Sequence, residues 1–175
     1  YRADPWTKKT LENGLNPELA AKAGNALQKY VIENTRLGIP LFLAEEAPHG
    51  HMAIGTTVFP TGIGMAATWS PVLIEEVGNV IAKEIRSQGA HISYGPVLDL
   101  SRDPRWSRVE ETFGEDPVLS GRLGAAMVIG LGSGDLSREY ATIATLKHFL
   151  AYAVPEGGQN GNYASVGTRD LHENF

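Results

Sequence analysis

The 175-residue sequence predicts an α/β fold in which parallel strands alternate with helices. Three observations carry that expectation. Asn16-Pro17, Ser70-Pro71 and Asp116-Pro117 each place a good N-cap before a proline at the first helical position, where its missing N–H is no loss. Between the helices lie short apolar runs without alternation, the pattern of strands buried on both faces. Acids, bases and aromatics then follow those runs, at the expected carboxyl ends of the strands. That is the ligand-binding side of open α/β sheets and α/β barrels alike.

The elements follow in order. Behind Asn16 an apolar stripe of Leu19, Ala23, Leu27, Tyr30 and Val31 defines a first helix, ending near Gly38. Strands are expected over 41–44 and 64–67. Behind Ser70 the stripe is Leu73, Ile74, Val77, Val80, Ile81 and Ile85, and Gly89 stops the helix. A third strand covers 92–94. Residues 95–117 form a loop punctuated by Gly and Pro, so dense in paired charge that ligand binding explains it better than connection alone. Asp116 caps a helix bearing Leu119, Leu123, Met127 and Gly130. A fourth strand spans 143–146, and a last helix starts at Thr168.

Composition bounds the function. An apolar content of 42% suits one sizeable core. A net charge of −5 argues against a nucleic-acid partner, which needs a basic footprint. No apolar run approaches the roughly 20 residues that span a bilayer. The start, Tyr1-Arg2-Ala3-Asp4, is neither an initiator methionine nor a signal peptide. With no cysteine there are no disulfides or thiolate metal sites. Glycines at 130, 132 and 134 and at 157, 158 and 161 match no phosphate loop, so no cofactor is expected.

The polar residues sort by position. Glu45 and Glu46 are adjacent on or after a strand, so at most one can face a site; each is open to ligand binding or an ion pair. Asp116 reads as a cap, and Glu111 or Glu115 as a holder of Arg105 or Arg108. His49 and His51 lack a third ligand at sensible spacing, which favours a structural role over a metal. Lys147-His148 behind an apolar strand favours function, because an unpaired buried lysine is costly. Trp69 and Trp106 are sugar-stacking platforms or core aromatics. Aromatics beside carboxylates, Arg and Lys suit a sugar, with its flat C–H faces and ring of hydroxyls.

Four segments, read together, resemble the N-terminal catalytic domain of family 3 glycoside hydrolases. They are Gly38-Ile39-Pro40-Leu41-Phe42-Leu43-Ala44-Glu45-Glu46-Ala47-Pro48-His49-Gly50, then Phe59-Pro60-Thr61-Gly62-Ile63-Gly64-Met65-Ala66-Ala67-Thr68-Trp69, the loop over 95–117, and Ala144-Thr145-Leu146-Lys147-His148-Phe149. The resemblance covers nearly the whole chain. It implies that residues 1–175 are the N-terminal portion of a (β/α)8 TIM-type barrel from an exo-acting, retaining β-glycosidase. It further implies that Glu46, Arg108, Lys147 and His148 hold the sugar of the −1 subsite; Trp69, as a candidate stacking platform, is counted with them as substrate-binding.

Two departures from the family pattern matter. The first-motif carboxylate is commonly Asp in β-glucosidases and Glu in many β-xylosidases, so Glu46 blurs glucose against xylose. Pro-Gly-His-Gly does not follow Lys147-His148-Phe149, which disfavours an amino sugar. The family's nucleophile lies in a Ser-Asp-Trp-like segment beyond Lys-His-Phe, and its acid/base farther on; neither is expected within these residues. The alternative readings are a carbohydrate-binding module without catalysis and an unrelated barrel enzyme using Lys147-His148 on a carbonyl or phosphate. The partners expected are a β-glucoside or oligosaccharide and, for a half-barrel, the remainder of the enzyme or a second copy. Exported bacterial relatives imply a periplasmic or secreted parent.

Overall fold

The computed structural model describes residues 14–175, so the reading of Tyr1-Arg2-Ala3-Asp4 lies outside the described residues. Helix α1 spans Pro17–Asn34, strand β1 Ala44–Glu46, helix α2 Gly62–Ala66 and helix α3 Pro71–Ser87. Strand β2 (Ile92–Tyr94), helix α4 (Pro117–Leu131), strand β3 (Ile143–Ala144) and helix α5 (Thr168–Asn174) follow. The caps act as their side chains dictate: Leu19 N donates to Asn16 Oδ1 at 2.9 Å, Leu73 N to Ser70 Oγ at 3.3 Å, and Leu119 N to Asp116 Oδ1 at 2.7 Å. The strands form an open parallel sheet in the order β1-β2-β3, with Glu45 opposite Ser93 and Ser93 opposite Ala144. The fold is α/β, as the alternation predicts.

The core lies where α3 and α4 pack together against the sheet. Ile74, Ile81, Ile85, Leu123, Met127 and Leu131 are essentially closed to solvent, each worth roughly 1.5–3 kcal/mol of burial. The helices touch backbone to backbone. A Cβ on Gly130 would run into the Glu75 carbonyl and sit 3.0 Å from Gly78 Cα. Gly130→Val should therefore force α3 and α4 apart and lower stability by about 3 kcal/mol or more, roughly 6–12 °C in Tm. Thermal denaturation checks this, and an unchanged Tm would contradict so close a contact.

Three expectations need correction. Residues 64–67 are not a strand: helix α2 ends at Ala66, and Gly62, Met65 and Ala66 are its buried positions. Their spacing of three and four is helical, so the period was in the sequence but too short to separate from an unalternating strand. The first strand lies three residues later than the apolar run, so Glu45 and Glu46 are its last members. The α1 stripe is not its buried face, since Leu19, Leu27 and Tyr30 are exposed while Ala20 and Gly24 are covered. Small residues let α1 approach the end of α3: a Cβ on Gly24 would lie 3.8 Å from the Gln88 carbonyl oxygen.

Candidate functional site

The sheet brings Glu46 and Lys147 together from opposite ends of the chain. Glu46 ends β1 opposite Tyr94, the end of β2, and Lys147 bridges Val97 just beyond β2. The Lys147 ammonium donates to Glu46 Oε2 at 3.0 Å, with the lysine side chain 13% and the glutamate 36% exposed. Lys147 also stands 5.9 Å from the Tyr94 ring centroid. The buried lysine is thus paired, as the cost of leaving it unpaired requires, and its partner is the carboxylate that the family resemblance picked out.

The loop after β2 supplies the other charges. Arg108 Nε and Nη2 donate to Glu111 Oε1 and Oε2 at 2.6 and 2.7 Å, a two-point fork in which Glu111 holds the guanidinium above its usual range. Burial pushes the Glu111 carboxyl up. The Arg108 hydrogen bonds and the charges of Arg108, Lys147 and His148 outweigh it and leave Glu111 below its ordinary 4.5. Arg105 is held by Asp103 instead, at 2.7 Å, and its hydrogen bonds bring that half-buried carboxyl down to about 2.

Glu111, with its pKa depressed in the fold, contributes stability that is present above the unfolded value and lost as pH falls through the folded one. Wild type should accordingly melt above Glu111→Gln at pH 7, with the gap closing as pH falls below 4.5. Melting curves between pH 3 and 7 test this; a gap that stays constant would show that the Glu111 charge is not what stabilises.

His148 and Tyr152 complete the cluster. His148 Nδ1 lies 2.7 Å and its peptide nitrogen 3.2 Å from Asp99 Oδ2. Tyr152 meets the His148 ring edge-on at 4.9 Å and the Trp106 ring at 5.4 Å, and the Arg108 guanidinium sits 5.6 Å from its centroid. Through Tyr152 and Glu111, the cluster joins Arg108 to His148 and Lys147. Sequence reasoning missed Asp99 and Tyr152. Asp99 sits between apolar Leu98 and Leu100, a signal that it points away from the loop's exposed charges; Tyr152 carries no local signal.

The remaining candidates separate. Trp106 is a core aromatic, 2% exposed, its Nε1 donating to Asn160 Oδ1 at 2.9 Å. Trp69 is 72% exposed at a φ of 54° between α2 and α3, behind a helix and not a strand. Among the described residues no hydrogen bond or ring contact links it to the cluster. His49 Nδ1 lies 3.1 Å from the Phe59 carbonyl oxygen and so ties the β1–α2 connection, and burial lowers the pKa of His51 beside it. Burial also raises Glu45, which alternates away from Glu46 on β1.

A parallel sheet carrying carboxylates, a lysine, an arginine and a histidine at the carboxyl ends of its strands defines an α/β protein with a polar cluster on the side where such sheets bind ligands. The model of the glycosyl hydrolase family 3 N terminal domain matches residues 10–175, and the chain belongs to that family. A periplasmic beta-glucosidase of Salmonella typhimurium is 35% identical over 149 residues, covering 85% of this chain and 19% of that protein. A beta-xylosidase of Formosa agariphila is 40% identical over 148 residues, covering 80% and 20%. The structure of a β-glucosidase from Listeria innocua in complex with laminaribiose superposes with a TM-score of 0.83 at 37% identity, covering 88% of this chain and 21% of that one. The structural neighbours are TIM-barrel enzymes of the family. The chain spans about a fifth of the length of these relatives.

Proposed function

We propose that this chain supplies the −1 sugar-binding half of the active site of an exo-acting, retaining β-glycosidase, a β-glucosidase that releases terminal non-reducing β-D-glucosyl residues from oligosaccharides. The observation that carries the reading is the Glu46–Lys147 pair at 3.0 Å at the carboxyl ends of the strands, with His148 next in the chain and both His148 and Arg108 set against the Tyr152 ring. A sugar ring offers hydroxyls to such a set. The carboxylate accepts from one, the lysine and arginine donate to others, and charge-assisted bonds of this kind are worth roughly 1.5–3 kcal/mol each. Trp69 is proposed as an outlying stacking surface, supported by its exposure.

A β-xylosidase is the second reading, favoured by Glu46 and by the 40%-identical Formosa agariphila relative. Kinetics of the full-length protein on 4-nitrophenyl β-glucoside and β-xyloside decide between them. The higher kcat/KM should be on the glucoside; a dominant xyloside rate would favour the second reading, and no hydrolysis of either would count against both.

The flank beyond β3 supports a further partner. Leu146 is 60% and Phe149 94% exposed, and a mostly apolar cavity of about 310 Å³ opens between Leu98, Leu146, Phe149 and Phe175, with Asp99, Lys147 and His148 on its site-facing wall. Covering this flank with the remainder of the same enzyme, or with a second copy, would bury that surface and pair the open strand edge. Sedimentation of the 175-residue chain should show association or poor folding. A stable, well-folded 18.8 kDa monomer would contradict this.

A further inference from the structure

We infer that Asp99 is a positioning residue for the sugar site, fixing the orientation and proton placement of His148; this rests on the glycosidase reading above. The Asp99 side chain is 1% exposed, the most enclosed carboxylate among the described ion pairs. Its recorded hydrogen bonds all go to one residue: Oδ2 lies 2.7 Å from His148 Nδ1 and 3.2 Å from the His148 peptide nitrogen. The peptide N–H can only donate, so Oδ2 is an acceptor there, and an ionised carboxylate has no hydrogen to offer Nδ1. Nδ1 therefore carries the hydrogen. In the neutral imidazole this leaves Nε2 as an acceptor, the nitrogen free to receive a hydroxyl hydrogen from a sugar.

Packing alone does not explain an acid here. A buried carboxylate is expensive to desolvate, and an apolar residue of similar volume commonly serves the fold as well or better. What leucine cannot do is hold the ring and peptide of His148 through one oxygen. The His148 side chain is 29% exposed and touches Tyr152 along one edge. Without Asp99 its ring is free to rotate or to exchange its hydrogen between the two nitrogens. At metal sites, removing the partner that orients a ligating histidine typically costs about 10- to 100-fold in affinity or activity, and a loss of the same order is expected here.

The test uses full-length protein with Asp99→Leu, His148→Ala and the double variant. Asp99→Leu should lower kcat/KM on the preferred aryl β-glycoside by about 10- to 100-fold in wild type, and by no more than ~2-fold in the His148→Ala background. An equal loss in both backgrounds would mean that Asp99 acts independently of His148 and would overturn the proposal. Protein with ¹⁵N-labelled histidine supplies a readout that does not depend on turnover. At about pH 8.5, where a free imidazole is neutral, wild-type His148 should show a protonated Nδ1 and a bare Nε2, and Asp99→Leu should shift the hydrogen toward Nε2. A wild-type His148 protonated on Nε2 with Nδ1 bare would overturn the proposal, even if Asp99→Leu fails to fold. Absence of hydrolysis by the wild type would count against the glycosidase reading and leave the tautomer result to decide the role of Asp99.

Discussion

The isolated 175-residue chain should hydrolyse 4-nitrophenyl β-glucoside at least ~10⁴-fold more slowly than a full-length relative, the scale of loss seen when a hydrolase is deprived of its nucleophile. A retaining glycosidase needs two carboxyl groups about 5–5.5 Å apart across the bond it cleaves, one a nucleophile and one able to give up a proton. The carboxylates of the cluster are committed elsewhere: Glu46 to Lys147, Glu111 to Arg108 and Asp99 to His148. Glu111 is held below its ordinary pKa, the wrong direction for a general acid near neutrality. Glu45 is raised, but it alternates away from Glu46 on β1. Binding groups without a nucleophile cannot form the glycosyl-enzyme intermediate. The assay needs circular dichroism beside it to show that the chain is folded. Robust turnover that survives Glu46→Ala would point to contamination or an unforeseen mechanism.

In full-length protein acting as the proposed glycosidase, Glu46→Ala should lower kcat/KM by about 10²-fold or more. The substitution removes a carboxylate that would accept a hydrogen bond from a sugar hydroxyl, and it leaves the largely buried Lys147 ammonium without its 3.0 Å partner. The lysine is then free to move from the position in which it would donate to the sugar. Contacts that tighten as the ring distorts toward an oxocarbenium-like transition state are felt in kcat as well as in KM. A loss confined to KM would mean that Glu46 holds ground state and transition state equally. Turnover by the isolated chain that Glu46→Ala abolishes would instead make Glu46 catalytic.

The long elements were legible because each carries redundant signals. Helix α4 has its Asp116 cap, a first-turn proline and buried Leu123 and Met127 at helical spacing, and α3 has the same set around Ser70. Helix α2 was not, because five residues hold too little period to separate a helix from a buried strand. The α1 face was misread because its burial rests on Ala20 and Gly24, which weigh little in any apolar pattern. In the site, Lys147 and His148 were visible as charge placed behind an apolar run and Glu46 through the motif it ends, while the sequence left open which of Glu111 and Glu115 holds which of Arg105 and Arg108. Asp99 and Tyr152 were not, since their roles exist only through contacts across 49 residues for Asp99 and between rings for Tyr152. Trp69 shows the converse: an exposed aromatic in a matching motif, with no contact to the cluster among the described residues.

The central claim is that Glu46, Arg108, Lys147 and His148 together hold one sugar. It is tested most directly by a crystal structure of the full-length protein with glucose bound. The account predicts a ring at the carboxyl ends of β1, β2 and β3, with the Glu46 carboxylate, the Lys147 ammonium, the Arg108 guanidinium and His148 Nε2 each within hydrogen-bond distance of a hydroxyl. Glucose bound away from these four residues, with the Glu46–Lys147 and Arg108–Glu111 pairs closed upon themselves, would contradict it.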